Sequence, residues 1–171
     1  MIILGIDPGL AGTGFGAIRC DESNPSLLKC GYIKTSSREH VSNRLFRIHS
    51  DINHLIRTLH PDLIAIENVF SLVRYPKASI LLGGVLGIIY LSVFQNNISL
   101  VEITPKEVKN SLVGHGGANK YQIKETIKKL LKITDVKSFH ASDALAIALT
   151  AFYRKTSERN NGFLFKRDIK I

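Results

Sequence analysis

Fourteen of the 171 residues are acidic, and three of those stand in surroundings that do not suit a solvated carboxylate. Asp7 follows "IILGI", Glu67 follows "LIAI", and Asp143 sits in "HASDALAIAL", at the start of an apolar helix. A carboxylate in such sequence is costly to desolvate unless something pairs with it. Taken singly, each has a plain use. Asp7 before Pro-Gly suits a turn, Glu67 suits a cap or salt bridge, and Asp143 suits the first turn of a helix, where the dipole favours an acid. Taken together, three carboxylates at element ends repel one another, and one takes up a proton unless a divalent cation is present. Hard oxygen donors suit Mg2+ or Mn2+. Two such ions roughly 4 Å apart activate water and stabilise the leaving oxygen of a phosphodiester. His140 lies three residues before Asp143, on the same side of a helix. It is a fourth ligand, a group that activates water, or simply a helix-start residue. Glu102, in "SLVEIT", is a further acid at a strand end. Beside Thr104 and Pro105, it is expected to face out.

The elements that position these residues follow from periodicity. Residues 2–8, 14–20 and 27–35 read as three strands with short links, hence antiparallel. Residues 41–59 carry Leu45, Ile48, Ile52, Leu55, Ile56 and Leu59 at helical spacing and end before Pro61. Strands at 62–68 and 98–103 flank an apolar helix at 77–95. Thr104-Pro105 opens a short helix ending near Gly114, and helices at 119–132 and 139–154 follow. Lys120, Lys124, Lys128 and Lys132 form a stripe along the first of these two. The order predicts an α/β fold: a mixed five-stranded sheet, three antiparallel strands then parallel ones, with helices on both faces. Strand 1 is then central beside a parallel strand 4, so that Asp7 and Glu67 converge and the last helix brings Asp143. Residues 1–154 form one domain, and 155–171 are a basic, loosely ordered tail.

A net charge of +9 favours a polyanionic partner such as nucleic acid over a neutral metabolite. Cys20 and Cys30 lack CxxC spacing and read as reduced core residues of a cytoplasmic protein, with no basic leader at the N-terminus. Residues 78–94, "ASILLGGVLGIIYLSVF", carry no charge. A spanning helix needs about 20 apolar residues, and Gly83 and Gly87 at GxxxG spacing favour a soluble helix packed closely on another helix or subunit.

Four segments, "GIDPGLAGTGFGAI", "IAIENVF", "VKNSLVGHGGANK" and "HASDALAIAL", occur in that order. Together they resemble the RuvC family of bacterial Holliday junction resolvases, over residues 1 to about 154. The resemblance implies a ribonuclease H-like fold, a homodimer, Mg2+ or Mn2+ (two ions per site during catalysis), and symmetric nicking of four-way DNA junctions in recombination and repair, leaving 5′-phosphates and 3′-hydroxyls. It makes Asp7, Glu67 and Asp143 the metal-binding carboxylates and puts His140 at the fourth ligand position, where many members have aspartate. Phe70 matches an aromatic that stacks on a base, and Lys109 and Lys120 match lysines that contact DNA. Arg74, Tyr75 and Lys77 after Phe70 suit phosphate contact and stacking. The glycines after Asp7 are expected to leave room for backbone and phosphate beside the metal. The resemblance further implies work with the RuvA–RuvB branch-migration complex. The 77–95 helix is the expected dimer interface, against burial within the monomer.

Rival readings are an actin-like ATPase or sugar-kinase fragment, an RNA-processing nuclease of the same superfamily, and a non-catalytic junction-binding protein. The first needs two such domains and a second Gly-rich motif. The second is disfavoured by "ENVF" and the spacing before "HASDALA". The third has no use for the carboxylates.

Overall fold

The computed structural model describes residues 1–21, 24–68 and 76–160. Its sheet has five strands in the order β3-β2-β1-β4-β5. These are β1 (Ile2–Asp7), β2 (Gly12–Asp21), β3 (Asn24–Lys34), β4 (Leu63–Glu67) and β5 (Ser99–Ile103). β1–β2 and β2–β3 are antiparallel, and β1–β4 and β4–β5 are parallel. The expected mixed sheet with a central first strand is therefore present. β2 and β3 run further towards each other than expected, pairing out to Asp21 opposite Asn24.

Side chains alternate across a sheet, and the core divides accordingly. Ile3, Leu63, Ala65, Val101 and Ile103 face one layer of helices, whereas Leu4, Ile6, Ile64, Ile66 and Leu100 face the other. On the second side lie α1 (Val41–Leu59) and α2 (Pro76–Gln95). α1 buries Ile48, Ile52, Leu55 and Ile56 against Val85, Ile89 and Val93 of α2. A polar cluster joins the two helices: Asn53 Nδ2 donates to Ser92 Oγ, and Asn96 Nδ2 donates to Asn53 Oδ1. α1 ends at His60, which takes a left-handed conformation before Pro61.

On the first side lie α3 (Pro105–Val113), α4 (Lys120–Leu131) and α5 (Phe139–Asn160). Capping boxes start two of them, Thr104 with Glu107 on α3 and Asn119 with Gln122 on α4. α5 runs through Asn160, six residues beyond the expected end at 154. Arg, Lys and Glu are good helix formers, and Thr156 Oγ1 donates back to the Phe152 carbonyl. The start of the expected loose tail is thus helix. Arg154 is tied in, its Nη1 donating to the Glu102 carbonyl and to Glu107 Oε1.

α2 is long and apolar enough to cross a membrane, by length and composition alone. One side of it is packed on α1, but Ile80 and Phe94 are each 75% exposed, and Gly83, Gly87 and Leu91 are also exposed. Burial within the monomer, the competing reading of this helix, therefore accounts for only one of its sides. Cys20 and Cys30 are free thiols. They pair opposite Pro25 and Gly16 respectively, so they are not cross-strand neighbours. Burial pushes the Cys20 thiol up to about 11, keeping it in the unreactive form.

Candidate active site

Asp7 and Glu67 are the last residues of the adjacent parallel strands β1 and β4. Both fall in the odd-numbered set that faces α5, continuing Ile3 and Gly5 on one strand and Leu63 and Ala65 on the other. The site therefore forms where two apolar strands end beneath one helix. Glycine is what admits that helix. A Cβ built on Gly5 would lie 2.1 Å from the Ala144 carbonyl oxygen, one on Gly14 2.1 Å from the His140 carbonyl oxygen, and one on Gly16 2.7 Å from Leu145 Cγ. A Cβ built on Gly12 would be less crowded, 3.0 Å from His140 Nε2. The expectation that these glycines leave room for phosphate is corrected here. The space they leave is filled by α5, which is how His140 and Asp143 come down beside Asp7.

The turn after Asp7 is fixed by hydrogen bonds. Thr13 Oγ1 donates to the Gly9 carbonyl at 2.8 Å, Thr35 N–H to the Ala11 carbonyl and Thr35 Oγ1 to the Leu10 carbonyl. The buried Arg44 in turn donates its Nε to Thr35 Oγ1 at 2.9 Å. None of these supports was read from the sequence. They depend on β3 and α1 returning beside the turn, which only the fold reveals.

Two contacts organise the acids. His140 Nδ1 lies 3.2 Å from Asp7 Oδ2, and Lys120 Nζ donates to Asp143 Oδ2 at 3.0 Å. Burial raises the Asp7 carboxyl above its ordinary value, against the hydrogen bond from His140, and the charge of Asp143 adds to the rise. Glu67 is pushed up to about 7, first by burial and then by the charges of Asp7 and Asp143. The hydrogen bond to Asp143 raises the Lys120 ammonium. Asp7 and Glu67 therefore sit in surroundings that resist their ionisation, and the charge of Asp143 adds to both.

Lys120 meets the cluster from the first turn of α4. Lys109 lies half-buried on α3, and among the described residues no ion pair joins it to the carboxylates. Lys77 is exposed at the start of α2. Phe70, Arg74 and Tyr75 lie outside the described residues. The lysine stripe is not free: Lys124 pairs with Asp135 at 2.9 Å and Lys128 with Glu125 at 2.8 Å, while Lys132 leaves the helix in a left-handed cap. Tyr32 was missed. Its ring sits 5.9 Å from that of His140, and it pairs across the sheet with Gly14, which offers no side chain in its way. The signal was there, in an aromatic on the strand opposite the glycines, but it needed the register.

Glu102 does not face out. It alternates with Val101 and Ile103 and so lies on the α2 side of β5, where it is half-buried. It accepts from Tyr90 Oη at 2.6 Å and from Asn68 Nδ2 at 2.9 Å.

Acids at the ends of adjacent parallel strands meet an acid and a histidine from a covering helix, on a mixed five-stranded sheet of the ribonuclease H-like class. The model of the family described as "Crossover junction endodeoxyribonuclease RuvC" matches residues 3–151, and the chain belongs to that family. It is 38% identical over 151 residues to the crossover junction endodeoxyribonuclease RuvC of Caldicellulosiruptor saccharolyticus, covering 87% of this chain and 90% of the relative. With that of Alkaliphilus oremlandii it is 39% identical over 150 residues, covering 87% and 91%. Among solved structures, Thermus thermophilus RuvC in complex with Holliday junction substrate superposes with a TM-score of 0.86 at 31% identity, covering 92% of this chain and 96% of that one. The yeast mitochondrial Holliday junction resolvase Ydc2, at 13% identity and a TM-score of 0.68, shares the fold.

Proposed function

We propose that this crossover junction endodeoxyribonuclease uses Asp7, Glu67, Asp143 and His140 to nick four-way DNA junctions symmetrically, leaving 5′-phosphate and 3′-hydroxyl ends. The observation that carries the assignment is the meeting of strand-end acids with the start of α5: His140 on Asp7, Lys120 on Asp143, and Glu67 within reach of both charges.

Three carboxylates and an imidazole are a hard, oxygen-rich donor set of the kind Mg2+ and Mn2+ take. The rise of Glu67 to about 7 is what a divalent charge would reverse. Among the described residues, no three such side chains stand close enough to hold an ion as they are placed. His140 and Lys120 instead take up oxygens of Asp7 and Asp143. The donor types fit; the arrangement is the one that cationic and imidazole partners impose. Asp7, Glu67, Asp143 and His140 would hold the metal, two ions during catalysis, and bound ions supply water activation and charge stabilisation.

The chain's own groups do the rest. Asp7, Glu67 and Asp143 would hold the cations beside which the scissile phosphate sits, since carboxylates alone would repel it. His140 orients or deprotonates the attacking water. Lys120, released from Asp143, stabilises charge building on the phosphate. Phe70, Arg74, Tyr75, Lys77 and Lys109 contact the junction. The exposed stripe Ile80, Gly83, Gly87, Leu91 and Phe94 of α2 seats a second copy, and a two-fold axis gives two equivalent sites for two equivalent strands. The setting is cytoplasmic, alongside the RuvA–RuvB branch-migration complex.

Cleavage of a synthetic four-way junction with Mg2+, beside linear duplex of the same sequence, tests this. The junction is expected to be cut and the duplex spared. Asp7→Asn is expected to lose about 10³-fold in rate, as for removal of an electrostatic contribution of about 4 kcal/mol. Equal cutting of both substrates, or full activity in the variant, would refute it.

A further inference from the structure

Glu102 belongs to no part of this assignment, yet its carboxylate accepts two side-chain hydrogen bonds beside the end of β4. Strand alternation explains how. Glu67 points to the α5 side, so the next residue, Asn68, points to the α2 side, where Glu102 of the neighbouring strand also points. Asn68 Nδ2 donates to Glu102 Oε2 at 2.9 Å, and Tyr90 Oη, from α2, donates to Glu102 Oε1 at 2.6 Å. The backbone completes the join. Asn68 N–H donates to the Ile103 carbonyl at 2.8 Å, and Arg154 Nη1, from α5, donates to the Glu102 carbonyl at 3.2 Å. Glu102 thus gathers β4, β5 and α2 through its side chain, and α5 through its backbone, one residue from Glu67.

We propose that Glu102 is a positioning residue for the cleavage reaction: by holding Tyr90 and Asn68 together, it fixes the end of β4 and so the placement of the Glu67 carboxylate. The proposal rests on Glu67 serving the site as assigned above. A strand end is where a ladder frays. Here β4 ends at Glu67, and Ile66 is its last fully buried residue. A charge-assisted pair of hydrogen bonds on the far side holds that end without placing any group in the site itself. Support of this kind is commonly worth about 10–100-fold in activity.

The test is junction-cleavage kinetics on Glu102→Leu, Glu102→Gln and Tyr90→Phe in the full chain. Asn53→Ala, which breaks the α1–α2 polar cluster, serves as a control for stability loss alone. Glu102→Leu is expected to lower kcat about 10-fold or more with KM and junction affinity unchanged. Glu102→Gln should recover most of the rate, because its amide still accepts from Tyr90 and pairs with Asn68 once that amide turns over. Tyr90→Phe, which keeps the fold's shape, should give a smaller loss in the same direction. Hydrogen exchange supplies a readout independent of activity: the Asn68 amide should exchange faster in Glu102→Leu than in Asn53→Ala at matched stability. A kcat loss no larger than that of Asn53→Ala, or unchanged exchange at Asn68, would overturn the positioning role. Glu67→Gln separates the two claims. If it is inactive while Glu102→Leu cuts at the parent rate, only the positioning role falls. If it is fully active, the assignment of Glu67 falls first.

Discussion

The two sides of the sheet use glycine in opposite ways. On the α5 side, Gly5, Gly14 and Gly16 are filled gaps: helix backbone or a leucine side chain stands where a Cβ would go, at 2.1–2.7 Å. On the α2 side, Gly83 and Gly87 have nothing within 4 Å of a built Cβ. The first set brings a helix down to the sheet until its initial turn reaches two strand-end acids. The second leaves a shallow, apolar, open stripe flanked by Ile80, Leu91 and Phe94. Similar residues therefore close one surface and keep another available, and the proposed active site lies on the closed side.

Gly14→Ala strikes the closed side hardest. The added methyl would lie 2.1 Å from the His140 carbonyl oxygen and 3.2 Å from Asp7 Cβ, and the carbonyl belongs to helix backbone that cannot swing aside as a flexible side chain does. Overpacking of this kind costs about 1–3 kcal/mol, or roughly 2–12 °C in Tm for a chain of this size. Because the start of α5 must lift, the His140–Asp7 contact opens as well. Thermal melting and junction cleavage should both fall. A variant with unchanged Tm and rate would mean that α5 is not seated on β1 and β2 as closely as the glycines require.

Burial of charge gives the next effect, again on the α5 side. Burial and the charges of Asp7 and Asp143 push Glu67 up to about 7, above the ordinary carboxyl value of 4.5. A carboxyl raised on folding disfavours the fold when ionised. The penalty is absent below about 4.5, grows as pH rises from there to about 7, and is complete above 7. Glu67→Gln, melted without divalent metal, should therefore gain stability over the parent at pH 8 and little at pH 5. A difference in Tm that is the same at both values would show that Glu67 does not feel burial and the charges of Asp7 and Asp143.

Much of this asymmetry was legible in the sequence, for a physical reason. An apolar strand that ends in an acid breaks its own pattern, so Asp7 and Glu67 stood out, and the strand order followed from short links against crossovers. What needed three dimensions was which side a residue serves. Glu102 was assigned outward because Thr104 and Pro105 follow it. Strand alternation puts it on the side that α2 covers, but α2's position is not written in β5. The glycines after Asp7 were read as space for phosphate, and a glycine does not say whether a ligand or a helix fills the gap. The polar run from Arg154 looks like a solvated tail. It continues α5 because helix propensity and a pair of contacts from Arg154 to Glu102 and Glu107 outweigh its polarity.

The open stripe makes the smallest but most discriminating prediction. Gly83→Ala adds a methyl group where nothing stands within 4 Å, inside α2 and without backbone strain. Alanine is favoured over glycine in a helix interior by about 0.8–1 kcal/mol, so the separate chain should melt roughly 2–4 °C higher, the reverse of Gly14→Ala. If a second copy seats on this stripe, the same methyl holds the two helices apart, because small residues are what let backbones approach. Dimerisation measured by sedimentation should then weaken while the fold strengthens. A general stabilisation would move both quantities the same way, and a stripe with no partner would leave association unchanged. Opposite signs in one variant therefore identify a surface whose glycines serve contact between chains, as those beneath α5 serve contact within one.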